Sequence, residues 1–432
     1  MENPLSWFTP RGYLHFDHPC DQLFVEKFVS DPANIAKHAF YPFIGFDVHS
    51  TKIAYNKVTN TIYLKDKVRP IAYAAHLDSQ IYSYYSQNLS AMYEQKLNSL
   101  GLEANVLAFR KLQKGNIEFA NEVFSAIRIS GNCHVIALDI EKFFDKIDHE
   151  ILKKEWCKLI NQRRLPEDHF RVFESLSKHT KVNRYELFKK FNLSFHNPHK
   201  DRRMKRICNI VEFRKEVREA GLIKVNEQKY GIPQGSPISA FLSNLYLLDF
   251  DNLIVSEVSK VGGKYFRYCD DIFIIVPNDP DHYVNLAIDG IKKLGLTINE
   301  SKKEIRKFYI TPDGQRCDRP VQYLGFVFDG QKIVLRSASL ARFSAKMKKG
   351  VWIAKSSMHK INAARAKRGQ EPRKIYRKKI YERYSYIGKH NFISYGLKAA
   401  KTMDSDAIRK QLKPLWSRLQ KEINLSEKKI RK

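Results

Sequence analysis

Two adjacent aspartates, Asp270 and Asp271, follow Tyr268-Cys269 and stand between two runs rich in strand-forming residues. Strand propensity on both sides of a tight reversal predicts a β-hairpin with both carboxylates at its exposed tip. Adjacent carboxylates repel each other, and a bound divalent cation would offset that repulsion. The pair therefore indicates a metal site, although an Asp-Asp pair without other acidic partners is more often an ordinary polar turn.

A third carboxylate belongs to Asp139, which stands at the end of an apolar run. Asp148 has the position of an N-cap, and a helix is predicted to begin near His149. Asp139, Asp270 and Asp271 could together hold two Mg²⁺ ions through hard oxygen ligands, and Mn²⁺ accepts the same ligands. Two such ions would serve phosphoryl transfer by activating an attacking 3′ oxygen and stabilising a leaving pyrophosphate. Spacing alone does not distinguish this role of Asp139 from that of a strand end.

Residues 230–240 form a loop punctuated by glycine and proline between the two acidic segments. The loop leads into an apolar run with Phe241, Leu245 and Leu248 at helical spacing. Backbone N–H groups and the positive end of a helix dipole both attract phosphate. The loop is therefore predicted to lie over an incoming nucleotide.

In chain order, these three segments resemble motifs A, B and C of the reverse transcriptases. Arg69-Pro70-Ile71 and Arg110-Lys111 resemble the fingers motifs of this family. Residues 295–299 with Lys302 resemble motif D, and Tyr323-Leu324-Gly325-Phe326 resembles the motif E primer grip. Several motifs in the family's order are far more specific than any one of them. The sequence of residues 139–144 and the Pro-Gln-Gly-Ser-Pro loop resemble those of bacterial group II intron-like enzymes in particular. The resemblance covers most of the chain.

The resemblance implies an α/β (α+β) right-hand polymerase, with an antiparallel palm sheet flanked by helices and a helical thumb. Asp139, Asp270 and Asp271 would hold the two metal ions. Phe144 would stand against the sugar 2′ position and exclude ribonucleotides, which predicts deoxynucleotide substrates and a DNA product. Three residues, Tyr323, Leu324 and Gly325, would form the primer grip.

The resemblance also implies a set of nucleotide-binding residues. Arg110 would clamp the triphosphate, since a guanidinium matches phosphate oxygens in a bidentate fork, and Lys111 or Lys114 is the secondary candidate. Lys302 would protonate or neutralise the leaving pyrophosphate. The nucleotide and template pocket would be lined by Gln234 and Gly235.

Composition indicates a polyanion partner. The chain has 76 Lys and Arg residues against 46 Asp and Glu, a net charge of +30, which is typical of nucleic-acid binders. We find no apolar run long enough to span a bilayer and no signal-peptide pattern at the amino terminus, so no membrane partner is expected. Six cysteines lack Cys-x-x-Cys spacing, which indicates neither a zinc site nor a disulfide scaffold and favours a cytoplasmic location.

The predicted domains are fingers at residues 1–130, built from short strands and helices, palm at 131–330, and a helical basic thumb and tail at 331–432. The palm would carry a basic insertion near 180–220, which either grips a structured RNA or is a solvated loop. Few acids interrupt the basic thumb, so phosphate contacts with a template-primer duplex are expected there. The residues predicted to make them are Lys348, Lys349, Arg373, Lys374, Arg377 and Lys378.

The chain ends soon after the thumb, so a mobile intron enzyme with a nuclease extension is not expected. In this respect it resembles the defence-associated bacterial reverse transcriptases of the unknown groups. That resemblance implies a structured noncoding RNA as template and a role against phage. Two alternatives stay open, an RNA chaperone or splicing cofactor with a polymerase fold, and a protein-primed or template-independent DNA polymerase. The oligomeric state is not predicted.

Overall fold

The structure is a computed structural model that describes residues 7–56, 61–195 and 205–425. Most of the basic run at residues 197–206, and the predicted tail from residue 426 onward, lie outside this part. The helices are α1 (Gln22–Val29), α2 (Pro32–Ala36), α3 (His76–Leu100), α4 (Asn116–Ser130), α5 (Phe143–Lys146), α6 (His149–Leu159), α7 (Glu167–Ser177), α8 (Arg184–Lys190), α9 (Ile210–Glu212, continued by a π-helix Phe213–Glu219), α10 (Ser239–Tyr246), α11 (Leu248–Ser259), α12 (Pro280–Lys293), α13 (Ser337–Ala366), α14 (Lys378–Tyr384), α15 (Phe392–Thr402) and α16 (Asp406–Asn424).

The described strands form three sheets. In chain order they are β1 (Phe43–Asn56), β2 (Thr61–Tyr73), β3 (Cys133–Asp139), β4 (Thr180–Asn183), β5 (Ile223–Val225), β6 (Lys264–Tyr268), β7 (Asp271–Val276), β8 (Glu304–Thr311), β9 (Gly314–Cys317), β10 (Val321–Tyr323), β11 (Phe326–Phe328) and β12 (Ile333–Leu335). A 3₁₀ turn, Glu300–Lys302, precedes β8.

The central sheet has the order β6-β7-β3-β8-β9 and is antiparallel throughout. It is buried on both faces, because Ile272 and Ile274 of β7 belong to one apolar cluster while Phe273 and Ile275 belong to another. Burial on both faces explains why β7 reads as a continuous apolar run. The predicted antiparallel sheet flanked by helices is confirmed.

The amino-terminal sheet has the order β2-β1-β4-β5 and corrects two expectations. The first two strands are long, 14 and 13 residues, where short strands were predicted, since charged positions such as Asp66 weaken the propensity signal. The predicted palm insertion instead extends this sheet, because β4 pairs in parallel with β1 and β5 pairs with β4. A separate apolar cluster seals this join, with the Phe16 and Phe213 ring centroids 4.7 Å apart.

The carboxy-terminal part is a three-stranded sheet, β10-β11-β12, followed by α13 to α16. It shares one apolar cluster with the central sheet, which includes Phe273, Phe326, Met347 and Leu412. The 30-residue helix α13 buries few of its side chains, so most of its length is open to solvent. None of the described helices has an apolar stretch of the length that crossing a bilayer requires.

Candidate active site

The two aspartates of the predicted metal site lie at a tight β-hairpin. β6 ends at Tyr268 and β7 begins at Asp271, so Cys269 and Asp270 form the turn. Cys269 has a φ of 58°, a conformation that glycine usually supplies at the first position of a hairpin turn. The Ile140 N–H donates to the Asp270 carbonyl over 3.0 Å, which holds the turn against the end of β3. We predicted both carboxylates at the turn, whereas Asp271 is the first residue of a strand.

Asp139 and Asp271 face each other across two hydrogen-bonded strands. They are register partners at the ends of β3 and β7, and such partners have Cβ atoms about 4.5–5.5 Å apart. Their side chains therefore project from the same face of the sheet. The Lys302 ammonium pairs with Oδ1 of Asp139, and the Asn299 N–H donates to the Asp139 carbonyl over 2.8 Å. The structure thus brings Lys302 to the carboxylates, as part of an ion pair.

Like charge in this cluster changes the protonation of Asp271. The pKa of its carboxyl is raised to about 7, first by lost hydration and then by the charges of Asp270 and Asp139. The cations Lys302 and Lys67 oppose the rise. The Asp271 side chain still reaches solvent. Solvent screening therefore weakens its interactions with the neighbouring charges. A cation bound beside these carboxylates would relieve the repulsion among them.

This raised pKa predicts a pH-dependent stability. An aspartate with a raised folded-state pKa stabilises the fold below its unfolded value of about 3.9, and the contribution is lost as the pH rises through about 7. In metal-free buffer, the unfolding free energy of the wild type should fall relative to Asp271→Asn between pH 5 and pH 7 and level off above pH 8. The slope should stay below about 1.4 kcal/mol per pH unit, the limit for one proton. Urea denaturation of both proteins measures it, and a pH-independent difference would contradict the shift.

Two cations that the sequence analysis left without a role, Lys67 and Arg69, lie on the last half of β2. The pKa of Lys67 is lowered first by burial and then by the charges of Arg69 and Lys302, whereas Asp139 and Asp270 raise it. The Lys67 ammonium therefore lies within electrostatic reach of the carboxylates. The sequence held a signal for this placement, because Arg69 belongs to a segment that resembles a fingers motif and Lys67 stands two positions before it.

The predicted nucleotide loop lies against the same strand. The Ala72 N–H donates to the Gln234 carbonyl over 2.9 Å. Gly235 has a φ of 117°, and a Cβ there would lie 2.6 Å from the Ala72 carbonyl oxygen, so glycine is required. The apolar run predicted after the loop forms two helices, α10 with Phe241 and Leu245, and α11, which begins at Leu248. Gln234 and Gly235 are thus placed between β2 and α10, and their role toward a nucleotide stays a prediction.

Phe144 lies on α5, the short helix that follows β3. Its carbonyl accepts a hydrogen bond of 2.9 Å from the Ile232 N–H, which ties it to the nucleotide loop. Its ring centroid lies 5.7 Å from that of Phe143, which is buried. Phe144 itself is half-buried. The Phe144 ring therefore packs against a buried ring and is still partly accessible to solvent. Both properties are needed if the ring is to exclude a 2′ hydroxyl by steric clash.

Arg110, the predicted triphosphate clamp, is engaged elsewhere. Its guanidinium forms hydrogen bonds of 2.9 Å and 2.6 Å with the Glu94 carboxylate. One Nη also donates to the carbonyls of Glu103 and Val106, each over 2.6 Å. The side chain is 3% exposed, and these contacts use most of its five donors. This geometry contradicts the predicted clamp and makes Arg110 a brace for its own loop.

Beneath the hairpin lies a buried ion pair that the sequence analysis missed. Arg267 and Asp251 are fully buried and joined by hydrogen bonds of 2.7 Å and 2.6 Å. The Arg267 Nη1 also donates to Asn244 Oδ1 and to the Cys269 carbonyl, each over 3.1 Å, and the Tyr265 hydroxyl donates to Asp251 over 2.6 Å. The network joins α10 and α11 to the turn. The available signal was an arginine directly before the Tyr-Cys-Asp-Asp segment.

The predicted primer grip is a second tight hairpin, between β10 and β11. Leu324 and Gly325 form its turn with φ values of 45° and 93°. The Tyr323 ring centroid lies 4.9 Å from that of Phe273, which shares a face of β7 with Asp271. This hairpin therefore packs on the face of the sheet that carries the carboxylates.

The other predicted cations lie at the surface. Lys348 is 3.5 Å from Glu422, and Lys114 is 2.6 Å from Glu122. The remaining ones are all exposed on the carboxy-terminal helices, the segment between them, and the loop before α4, namely Lys349, Arg373, Lys374, Arg377, Lys378 and Lys111. Their placement leaves the predicted phosphate contacts as a prediction.

Within the described ranges, no group of three or more His, Cys, Asp or Glu side chains is arranged to hold a metal ion by itself. The Lys302 ammonium lies against Asp139 instead. Mg²⁺ is usually held by one or two carboxylates together with substrate phosphates. The facing carboxylates of Asp139 and Asp271 fit that kind of site, which a bound nucleotide would complete.

The central antiparallel sheet, the carboxylates on adjoining strands and the helical carboxy-terminal part are together those of a right-hand polymerase, which confirms the predicted fold class. The chain belongs to the reverse transcriptase (RNA-dependent DNA polymerase) family, whose model matches residues 56–328, more than half of the chain. The prediction is confirmed at the level of the reverse transcriptase family, and the bacterial, group II intron-like branch within it stays a prediction.

Similar proteins include telomerase reverse transcriptases. The chain is 24% identical over 98 residues to that of Takifugu rubripes, covering 21% of this chain and 9% of the relative. It is 28% identical over 97 residues to that of Mus musculus, covering 21% and 8%. The chain therefore spans less than a tenth of the length of these relatives.

Solved structures to which the chain is similar include telomerases of two Candida species. Apo telomerase of Candida tropicalis truncated from its C-terminal domain has a TM-score of 0.38 at 11% identity, with 73% of this chain and 60% of that chain covered. Telomerase of Candida albicans in complex with a TWJ fragment of telomeric RNA has a TM-score of 0.42 at 12% identity, with 94% and 67% covered.

Proposed function

We propose that this chain is an RNA-directed DNA polymerase that extends a primer with deoxynucleotides. The observation that carries the proposal is the facing pair Asp139 and Asp271, with Asp270 at the adjoining turn. Cations stand beside this acidic cluster, Lys302 next to Asp139 and Lys67 on the amino-terminal sheet. A site that offers carboxylates for metal and ammonium groups for phosphate suits nucleotidyl transfer.

In this proposal Asp139, Asp270 and Asp271 would hold two Mg²⁺ ions, and Mn²⁺ suits the same oxygen ligands. When bound, the ions supply Lewis-acid stabilisation of the attacking and leaving oxygens. Lys67 and Arg69 take the role first given to Arg110, because cations beside these carboxylates can neutralise the triphosphate.

The Lys302 ammonium would separate from Asp139 when a cation binds there, since both would compete for one carboxylate. The ammonium would then be free to neutralise or protonate the pyrophosphate, as the resemblance implies. Gln234 and Gly235 line the nucleotide and template pocket, and the hairpin of Tyr323, Leu324 and Gly325 supports the primer.

Replacing Phe144 with valine should raise the use of ribonucleotides relative to deoxynucleotides by about 10- to 100-fold, because the ring would clash with a 2′ hydroxyl. Single-turnover kcat/KM values for UTP and dTTP on an RNA template measure this ratio. The matched control is Phe170→Val, which alters a ring that is 40% exposed on α7. Equal discrimination by wild type and Phe144→Val would remove the steric role from this residue.

We further propose that the template is a structured noncoding RNA and that the activity serves defence against phage. The support is the resemblance to group II intron-like and defence-associated enzymes, together with a charge of +30 that suits a large RNA partner. The test is to express the chain with its flanking genomic DNA and to sequence the RNA and DNA that copurify with it. The comparison is Asp270→Ala/Asp271→Ala.

We expect the wild type to copurify with DNA that is complementary to one abundant RNA. We expect no such DNA with the double variant. RNA bound equally by both proteins with no DNA from either would favour an RNA chaperone or splicing cofactor. DNA without a complementary RNA, or DNA joined to the protein, would favour template-independent or protein-primed synthesis.

A further inference from the structure

We propose that His149 is a positioning residue that sets the width of the nucleotide pocket. The inference rests on the proposed polymerase function and names a residue that controls its choice of sugar. The two walls proposed for that pocket belong to different elements, since Phe144 lies on α5 whereas Gln234 lies on the loop of residues 230–240. A contact that fixes the spacing between these walls therefore decides how closely a sugar can approach the Phe144 ring.

Backbone contacts join the start of this loop to the chain around α5. The Ile232 N–H donates to the Phe144 carbonyl over 2.9 Å, and the Gly231 N–H donates to the Ile147 carbonyl over 2.8 Å. A Cβ on Gly231 would lie only 3.1 Å from the Asp145 carbonyl oxygen. The two segments are therefore packed so closely that a shift of one is transmitted to the other.

His149 adds a side-chain contact to this join. Its Nε2 lies 2.8 Å from the Gly231 carbonyl oxygen, and because a carbonyl only accepts, Nε2 carries the hydrogen. The backbone N–H of the same residue donates to the Lys229 carbonyl over 3.0 Å. From the first turn of α6, where it is half-buried, His149 therefore holds two carbonyls of one stretch of chain.

The Gly231 carbonyl depends mainly on His149 for its hydrogen bond. Gly231 is buried, and a second side chain, Asn226, lies 3.5 Å from the same carbonyl oxygen, which is longer than an ordinary N–H···O bond. An unsatisfied buried acceptor is costly. Without the His149 donor, the start of the loop would therefore shift to expose this carbonyl to water, and the spacing to α5 would widen.

Asn226 restrains the same stretch from the amino-terminal sheet. It follows β5, and its backbone N–H donates to the His179 carbonyl over 2.9 Å. Its Nδ2 donates to the carbonyls of Ser177 and Tyr230 over 2.9 Å and 3.1 Å. Two side chains on different elements thus hold the start of the loop, and neither belongs to the groups proposed to touch the nucleotide. Changes at either one should alter sugar selection without removing a contact to the substrate.

The test compares wild type with His149→Phe, His149→Gln and Asn226→Leu. Phenylalanine keeps a ring without a donor, the glutamine amide restores an N–H at a similar reach, and leucine removes the Asn226 donor at similar volume. Single-turnover rates at varied dTTP and UTP concentrations on an RNA template give kcat and KM for each protein. The matched control is His134→Phe, because Nδ1 of this half-buried ring lies 3.3 Å from the Pro277 carbonyl oxygen, at the end of β3 opposite Asp139.

His149→Phe should raise KM for dTTP about tenfold, while kcat stays within about threefold of wild type, because no group that touches the reacting atoms is removed. Its kcat/KM for UTP relative to dTTP should rise about fivefold, since the sugar is held less closely against Phe144. His149→Gln should recover most of both changes, and Asn226→Leu should shift both in the same direction as His149→Phe. His134→Phe should match wild type.

A purely structural role predicts a different pattern. It would lower the unfolding free energy and the fraction of active enzyme, but it would leave KM and the ratio of UTP to dTTP use unchanged. That pattern in His149→Phe and Asn226→Leu, or equal defects in His149→Gln and His149→Phe, would overturn the inference and leave the polymerase intact. If His149→Phe does not fold, Asn226→Leu alone decides. No extension by wild type on any substrate would instead overturn the proposed function on which the inference rests.

Discussion

Replacing Asp271 with asparagine should lower the rate of primer extension by about a thousandfold or more, equivalent to about 4 kcal/mol of transition-state stabilisation. Asparagine keeps the size of the side chain but removes the charge that, with Asp139 across the strand pair, would hold a cation. The measurement is single-turnover incorporation of one deoxynucleotide on an RNA template in Mg²⁺.

The matched control for this variant is Asp281→Asn, which neutralises an exposed acid on α12. It should stay within about twofold of wild type, because exposed charges outside the carboxylate cluster are screened by solvent and salt. The fold of Asp271→Asn should be intact, since removal of a carboxylate whose pKa is raised to about 7 relieves a cost at neutral pH. An Asp271→Asn protein with more than a tenth of the wild-type rate would exclude Asp271 from the metal-binding role.

Replacing Arg267 with methionine should lower the unfolding free energy by about 3–5 kcal/mol, because it leaves a buried carboxylate on Asp251 without its counterion. The two side chains are fully buried and share two hydrogen bonds. Urea denaturation at neutral pH measures the loss. The control is Arg409→Met, in an ion pair whose members are 53% and 77% exposed, where a change below about 1 kcal/mol is expected.

The double variant Arg267→Met/Asp251→Leu separates stability from catalysis. It should recover most of the lost unfolding free energy, since apolar side chains can replace a buried ion pair. It should not recover the hydrogen bond of 3.1 Å to the Cys269 carbonyl, so the turn before Asp270 loses a support. We expect kcat to remain reduced with KM for deoxynucleotide little changed. A double variant with wild-type kcat would show that the network serves stability alone.

Local signals in the sequence predicted the parts of the site that depend on neighbours in the chain. Asp148 caps α6 as expected, because its carboxylate accepts from the N–H groups of Glu150 and Ile151. The hairpin around Cys269-Asp270 follows from strand propensity on both sides of a short turn. Each of these features depends on only a few consecutive residues, so each can be predicted from the sequence alone.

Contacts between distant segments were not predictable in the same way. Arg110 has the residue type for a phosphate clamp, but its guanidinium is held by Glu94, a partner 16 positions away. The segment near 180–220 was assigned to the palm by its place in the chain, yet β4 pairs with β1. Pairing of that kind depends on which surfaces meet in three dimensions, and no periodicity in either segment reports it.

One apolar cluster is shared by the central sheet and the carboxy-terminal helices. This shared cluster limits which substitutions and domain exchanges the protein can tolerate. Phe273 of the sheet, Phe326 of the second hairpin and Met347 of α13 belong to one close-packed interior. A tightly packed interior tolerates replacement only when volumes are conserved across it. The carboxy-terminal helices are therefore not an interchangeable module, and grafting them from a relative would require transplanting the underside of the sheet as well. Among descendants of this chain, substitutions on the two sides of that interior are expected to occur in compensating pairs.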